Sequence, residues 1–236
     1  MKEQRFFYTP EPQTGILPDD EAVHAVRVLR LTPGEDIYLM DGRGTFYSAV
    51  IDEASKKRCT YHITDTSPQP RQWGGHLHLA MAPTKNIDRT EWFAEKATEI
   101  GFDELTFLDC QFSERRMIKD ERIEKILVSA MKQSHKPTLP RLNPMTPFDT
   151  FINNDITCPK YICHCYSDEL PPLRQQLDGQ TTGDALVLIG PEGDFSIDEV
   201  KRAEAAGFVS VSLGKSRLRT ETAALVAVHL MHLHCD

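Results

Sequence analysis

The chain has 236 residues, 40% of them apolar and 26% charged, the make-up of an ordinary globular protein that buries a sizeable core in one large domain or two small ones. No apolar run approaches the ~18 residues that span a bilayer, and the opening Met1-Lys2-Glu3-Gln4-Arg5, followed by Phe6-Phe7-Tyr8 and prolines, lacks the apolar stretch of a signal peptide. The net charge of −8 argues at first against a nucleic-acid partner.

In chain order, residues 19–31 read as a short helix that starts at Asp19-Asp20 and stops before Pro33-Gly34. Residues 35–40 and 45–51 are rich in β-branched and aromatic residues, and the Asp41-Gly42-Arg43-Gly44 between them tolerates positive φ, so they predict a hairpin. Residues 59–63 predict a third strand, giving a small, mostly β domain of residues 1–70. Two prolines and two glycines within 67–75 mark a linker.

Beyond it, short strands alternate with helices. Strands are predicted at 76–81, 105–108, 161–165, 185–189 and 209–213, and helices at 88–100, 120–133, 196–206 and 222–232. Ser196 and Glu199 have the spacing of a capping box. Residues 137–147 hold four prolines and read as loop. Residues 71–236 are therefore expected to form an α/β domain on a largely parallel sheet.

The charge is unevenly distributed. Residues 114–141 carry eight Lys or Arg against four Asp or Glu, whereas residues 142–200 carry two against ten. The basic stretch is either a solvated helix face or a phosphate-facing patch. The six cysteines (Cys59, Cys110, Cys158, Cys163, Cys165 and Cys235) are scattered, so reduced thiols in a cytoplasmic protein are expected. Cys163-His164-Cys165 has the look of a metal fragment, but a strand would turn the imidazole away from both sulfurs and no second Cys pair completes a site, so no metal is expected.

Ligands of α/β sheets bind beyond the carboxyl ends of the strands. Two such ends here are unusual: Ile189-Gly190-Pro191-Glu192-Gly193-Asp194-Phe195, and Leu213-Gly214-Lys215-Ser216-Arg217-Leu218-Arg219-Thr220-Glu221-Thr222-Ala223. Glycines let backbone approach a ligand closely, and a helix start at Thr220 offers free N–H groups. Dinucleotide, Walker and nucleophile-elbow motifs are missing from the sequence. Taken alone, the two loops support either a ligand pocket or tight strand-to-helix turns.

Together the two loops resemble the RsmE family of 16S ribosomal RNA methyltransferases, in the SPOUT superfamily. The family pattern there is similar to Ile-Gly-Pro-Glu-Gly-Gly-Phe, then Leu-Gly-Pro-Arg-Ile-Leu-Arg-Thr-Glu-Thr-Ala. The resemblance extends to Val28-Leu29-Arg30, Pro33-Gly34, Asp41-Gly42, Lys96 through Gly101, and Gln133-Ser134 followed by Pro140. This sequence departs from the pattern at Asp194, where a third glycine is usual, and at Lys215-Ser216-Arg217. Lys132 stands at a usual Glu position and Lys136 at an Arg position.

The resemblance implies a PUA-like β-barrel domain, a SPOUT domain with a C-terminal trefoil knot, a homodimer, and S-adenosylmethionine as methyl donor. The implied substrate is N3 of a uridine in 16S rRNA, within the small ribosomal subunit. The cofactor wall is expected at Ile189, Gly190, Pro191, Gly193, Leu213, Gly214, Leu218, Thr220 and Thr222. Glu221, then Glu192, are the candidates for taking the N3 proton, and Arg219 for stabilising the uracil oxygen; both carboxylates have structural alternatives. RNA phosphates would meet Arg115, Arg116, Lys119, Arg122, Lys125, Lys132 and Lys136, with Arg5 and Arg30 from the β domain. The rival readings are a SPOUT methyltransferase acting on another RNA, and a non-catalytic RNA-binding protein.

Overall fold

The structure is a computed structural model, and it describes residues 5–55, 58–167 and 169–235. Met1 to Gln4 of the N-terminal reading, and Asp168 of the charge tally, lie outside the described residues. The chain divides into two compact units: Met1–Gln72 with Met131–Leu139, and Trp73–Ala130 with Pro140–Asp236.

The first unit is built on a four-stranded sheet, β1 (Phe6–Tyr8), β2 (Asp36–Met40), β3 (Thr45–Ala54) and β4 (Cys59–Pro68), in that order. Side chains alternate across strands, so Phe7, Ile37, Leu39, Ala49, Ile51 and Tyr61 form one buried layer. The Asp41-Gly42 turn holds because the Asp41 carboxylate accepts from Arg43 N–H at 2.7 Å and Thr45 N–H at 3.0 Å, while Gly42 takes a φ of +70°. β1 was not foreseen, and it pairs parallel to β2. The predicted 19–31 helix is shorter: α1 (Asp19–Val23) passes into a π turn over His24–Val28, and Arg30 at φ +56° turns the chain away. β4 runs through Pro68, so the connection to the second unit starts later than predicted.

The second unit is a six-stranded sheet in the order β10-β8-β9-β5-β6-β7, every neighbouring pair parallel. In chain order its elements are β5 (Leu77–Met81), α2 (Ile87–Ile100), β6 (Glu104–Asp109), α3 (Asp120–Ser134), β7 (Arg141–Pro147), α4 (Phe148–Ile152), β8 (Lys160–Cys163), α5 (Leu173–Asp178), β9 (Ala185–Ile189), α6 (Ile197–Ala205), β10 (Val209–Val211) and α7 (Thr220–Cys235). The last residues of α3, from Met131, group with the first unit. Helices cover both faces, so the central strand β9 is buried at all five positions, as a parallel sheet requires. One face packs Ala80, Leu186 and Leu188 with Phe148, Phe195, Val200 and Phe208; α7 packs on α2, α5, β5 and β9.

Of the loop predicted over 137–147, residues 141–147 are corrected to the edge strand β7, while 137–140 lie outside the named strands. Edge strands tolerate proline because one side needs no ladder donor. A register shift between Thr106 and Leu108 sets one extra residue of β7 opposite β6, and Pro144 falls in that bulge. The short helices α4 and α5 were also not foreseen. The Ser196–Glu199 capping box is present in full. No described helix is long and apolar enough to cross a membrane.

A cleft of about 570 Å³ opens at the amino ends of β5, β6 and β7. In its floor Glu104 accepts from Asn143 and contacts His76 at 2.9 Å, while His78 contacts Thr106 at 2.8 Å. Burial lowers the His78 imidazole to about 4 from its ordinary 6.5. Below pH 6.5 the unfolded chain therefore takes up a proton that the folded chain refuses. Stability is expected to fall by about 3 kcal/mol as pH drops from 6.5 to 4. The Glu104 carboxyl, lowered to about 2 chiefly by its His76 hydrogen bond, adds a further loss only as pH falls from 4.5 towards 2. Urea unfolding at stepped pH tests this: His78→Asn should flatten the loss between pH 6.5 and 4, and an unaltered slope refutes the assignment.

Candidate active site

All six strands point the same way, so the loops after β5, β6, β8 and β9 leave from one edge of the sheet, with β10 beside β8. β9 lies between β8 and β5, and β8 precedes it while β5 belongs to the earlier half of the domain. Chain order switches at this point, where crevices form in open α/β sheets.

The loop after β9 is tightly made. The Pro191 carbonyl accepts from Asp194 N–H at 2.9 Å, closing a turn. Gly190 is buried, and a Cβ there would lie 2.9 Å from Phe195 N and 3.1 Å from the Asp194 carbonyl carbon. Phe195 is fully buried and pins the loop's far end. Asp194 adopts φ +66°, the left-handed conformation that explains why a glycine suits this position. Its carboxylate accepts from Cys165 N–H at 2.9 Å and from Phe195 N–H at 2.7 Å, tying the loop to the end of β8. Asp194→Ala keeps the backbone cost and loses both acceptors, whereas Asp194→Gly loses the acceptors but relieves the backbone. Unfolding midpoints should therefore rank wild type above glycine and glycine above alanine, the latter two separated by about 1 kcal/mol. Alanine equal to glycine would count against the strain argument.

Glu192 reaches the other way. Its carboxylate accepts from Lys85 N–H at 2.8 Å, binding the loop after β9 to the loop after β5. Arg115 clamps the same β5 loop, donating to the Thr84 carbonyl at 3.1 Å and the Lys85 carbonyl at 2.7 Å. Lys85 pairs with Glu114 at 2.7 Å, which raises its pKa. Thr84 is fully buried and shares a hydroxyl contact of 2.7 Å with Thr90 of α2. Segment 110–119 is further anchored by Glu199, whose carboxylate accepts from Gln111 N–H at 2.7 Å and from Ser196 N–H at 2.8 Å. Phe112 of this segment lies against Gly193: a Cβ on Gly193 would sit 3.4 Å from the Phe112 Cβ.

Of the second predicted loop, Leu213 and Leu218 are half-buried, Gly214 has φ +108°, and Arg219 is exposed. Thr220 is buried and is the first residue of α7, which begins two residues before the predicted 222–232 helix. Glu221 is buried, with its side chain 9% exposed. One carboxylate oxygen stands 3.7 Å from Arg89 Nε on the first turn of α2. The other, Oε2, is buried and makes no hydrogen bond among the described residues. A buried carboxylate oxygen left without a partner costs free energy, ~1–3 kcal/mol or more, unless a ligand completes it. The cation that faces Glu221 is Arg89 of α2 rather than the neighbouring Arg219.

Thus Glu192, Gly190, Gly193 and Asp194 share one pinned loop, tied to the β5 loop from which α2 leads to Arg89 and Glu221. The residues that do the tying, Asp194, Arg115, Glu199 and Arg89, were not assigned these positions from sequence. The departure at Asp194 and the capping-box spacing of Glu199 were the signals the sequence carried for them.

The predicted phosphate contacts divide. Arg115 is spent on carbonyls, and Arg116 is paired with Asp109. Lys119 is exposed. Arg122 pairs with Glu91. Lys132 sits in the first unit, 18% exposed, 2.5 Å from Glu21, so it is not a surface cation. Arg5 pairs with Glu35 at 3.4 Å, and Arg30 is exposed. Lys136 is half-buried. Among the described residues no group of three or more His, Cys, Asp or Glu is arranged to hold a metal ion. Burial lowers the pKa of His164, while Cys163 is buried with its thiol pushed up.

Comparison with known proteins places these features in a family. Residues 71–232 match the RNA methyltransferase domain, and residues 17–63 match the RNA methyltransferase PUA domain. A Rickettsia conorii protein named ribosomal RNA small subunit methyltransferase E is 28% identical over 225 residues, covering 93% of this chain and 91% of its own. The crystal structure of a probable rRNA methyltransferase from Porphyromonas gingivalis is 43% identical with a TM-score of 0.89 and 98% coverage of both chains. A ribosomal RNA small subunit methyltransferase E from Neisseria gonorrhoeae, solved bound to S-adenosylmethionine, is 27% identical with a TM-score of 0.82 and 98% coverage of both chains. A PUA domain and a parallel α/β domain with that match over most of its length mean that the chain belongs to the RNA methyltransferase family.

Proposed function

We propose that this protein is an S-adenosylmethionine-dependent rRNA methyltransferase that modifies N3 of a uridine in 16S rRNA. The pinned Gly190 loop carries the reading: a Cβ at Gly190 would collide with the loop's own Phe195 N and Asp194 carbonyl carbon, so glycine permits this shape, and Glu192 ties the loop to the β5 segment that leads into α2, where Arg89 faces Glu221. Relatives named for small-subunit rRNA methylation, one of them bound to S-adenosylmethionine, supply the chemical class.

When bound, the cofactor supplies an activated methyl group on a sulfonium. Backbone at Ile189, Gly190, Pro191, Gly193, Leu213, Gly214 and Leu218, with the α7 start at Thr220 and Thr222, would hold it. Glu221 is read as the group that receives the N3 proton; its buried Oε2, which makes no hydrogen bond among the described residues, supports this role. Arg219, exposed at the same loop, would stabilise negative charge on the uracil oxygen. Glu192, committed to Lys85 N–H, orients the loop rather than exchanging protons.

The finer architecture belongs to the same proposal. Residues 1–70 would form a PUA-like barrel that binds RNA through Arg5 and Arg30, with Lys136, which groups with the same unit, adding to that surface. Residues 71–236 would form the SPOUT domain, with Arg115, Arg116 and Lys119 near its RNA path. A trefoil knot is supported by the course of the chain, which leaves β10 at the sheet edge and returns as α7 across β9 and β5. A homodimer in the cytoplasm completes the reading.

The test uses labelled S-adenosylmethionine and small ribosomal subunits from a strain lacking the gene, with the product mapped by mass spectrometry of nuclease fragments. 3-Methyluridine in 16S rRNA is expected. Methylation of another RNA would redirect the substrate assignment, and failure to bind the cofactor would leave an RNA-binding protein.

A further inference from the structure

Phe112 is an aromatic residue with no place in the hydrophobic core. It is 46% exposed, on the segment that follows β6. An exposed phenylalanine on a floppy loop would mean little, but this segment is fixed at several points. Gln111 N–H donates to buried Glu199, Cys110 N–H donates to Ser113 Oγ at 3.0 Å, and Arg115 is hydrogen-bonded to two carbonyls of the β5 loop. The ring therefore stands on a rigid mount. It lies directly beside Gly193, in the loop read as the cofactor wall.

The neighbourhood has a mixed chemistry. Met117, 75% exposed, and the exposed Arg116 and Lys119 follow on the same segment. Exposed aromatic faces among cations are the equipment of proteins that bind unpaired nucleotides, because every base has a π face while its backbone is anionic. N3 of a paired uridine is also occupied by its Watson–Crick hydrogen bond. An enzyme acting there must meet the base unpaired and hold its plane.

We propose that Phe112 is a substrate-binding residue whose ring stacks on an unpaired RNA base at the methyl-transfer site. This rests on the reading of loop 190–195 as the cofactor wall. Stacking would fix the plane of the base next to Gly193, and the anchors at Glu199 and Arg115 would keep that plane constant from one turnover to the next.

Three variants, Phe112→Ala, Phe112→Leu and Phe112→Trp, test it on the full-length protein. S-adenosylmethionine affinity by calorimetry, melting temperature, and kcat and KM on small ribosomal subunits are measured for each. Alanine and leucine should both lose about tenfold to a hundredfold in kcat/KM for RNA, the range of a lost base-stacking contact. Their cofactor affinity and melting temperature should stay at wild-type values, and tryptophan should retain activity. Full activity in the leucine variant would show that only apolar packing on Gly193 matters, and would overturn the proposal. Loss of cofactor affinity in alanine and leucine alike would also overturn it, by making Phe112 a prop of the loop. If the wild-type protein itself bound no S-adenosylmethionine or methylated no RNA, the functional reading would fall instead.

Discussion

A Gly190→Val variant is expected to lose S-adenosylmethionine binding altogether, and Gly190→Ala to weaken it by at least a hundredfold, about 2.7 kcal/mol. The reason is where the new carbon would go. It would lie within 3.1 Å of Phe195 N, the Asp194 carbonyl carbon and the Phe195 ring, and two of these are backbone or backbone-bound. Backbone gives way only if the loop opens. The loop is held shut by Glu192 on Lys85 N–H, by Asp194 on Cys165 N–H and by the buried Phe195. Any opening that accommodates the Cβ must therefore distort the surface offered to the ligand. Gly193→Ala is the internal control. Its Cβ would meet Phe112 at 3.4 Å, close to ordinary contact, so it should fold and bind far better than the Gly190 variants. Calorimetry with S-adenosylhomocysteine, alongside thermal unfolding to confirm folding, separates the two. Tight binding by Gly190→Val would place the cofactor elsewhere.

The same loop shows what a sequence can and cannot convey. The two glycines, the Pro-Glu between them and the capping box at Ser196 were legible because each is a local rule: a turn, a close approach, a helix start. The parallel sheet was legible from alternating short strands and helices. β7 was not, because four prolines look like loop until the partner strand shows that the edge carries a bulge at Pro144. β1 was missed because three residues carry too little pattern, and their pairing with β2 is not local in the chain. In the site, the reactive-looking residues stood out, but their supports did not. Arg115 reads as one more cation in a basic run. Only the fold reveals that it is committed to Thr84 and Lys85, and that Arg89, from a helix some 130 positions earlier, faces Glu221.

Glu221→Gln should reduce turnover by a hundredfold or more while leaving cofactor affinity close to wild type. Glutamine keeps the size and one acceptor oxygen but cannot take a proton at neutral pH. If Glu221 served only to hold α7 against α2, its contact with Arg89 at 3.7 Å would be the relevant one, and that contact is too long for a hydrogen bond. A structural carboxylate would also have both oxygens satisfied, yet Oε2 is buried without a hydrogen bond among the described residues. Removing the charge of a buried, half-satisfied carboxylate should therefore cost little stability. A melting temperature within a few degrees of wild type, combined with collapsed turnover, would locate the loss in the chemistry. Full turnover in Glu221→Gln would remove Glu221 from the mechanism.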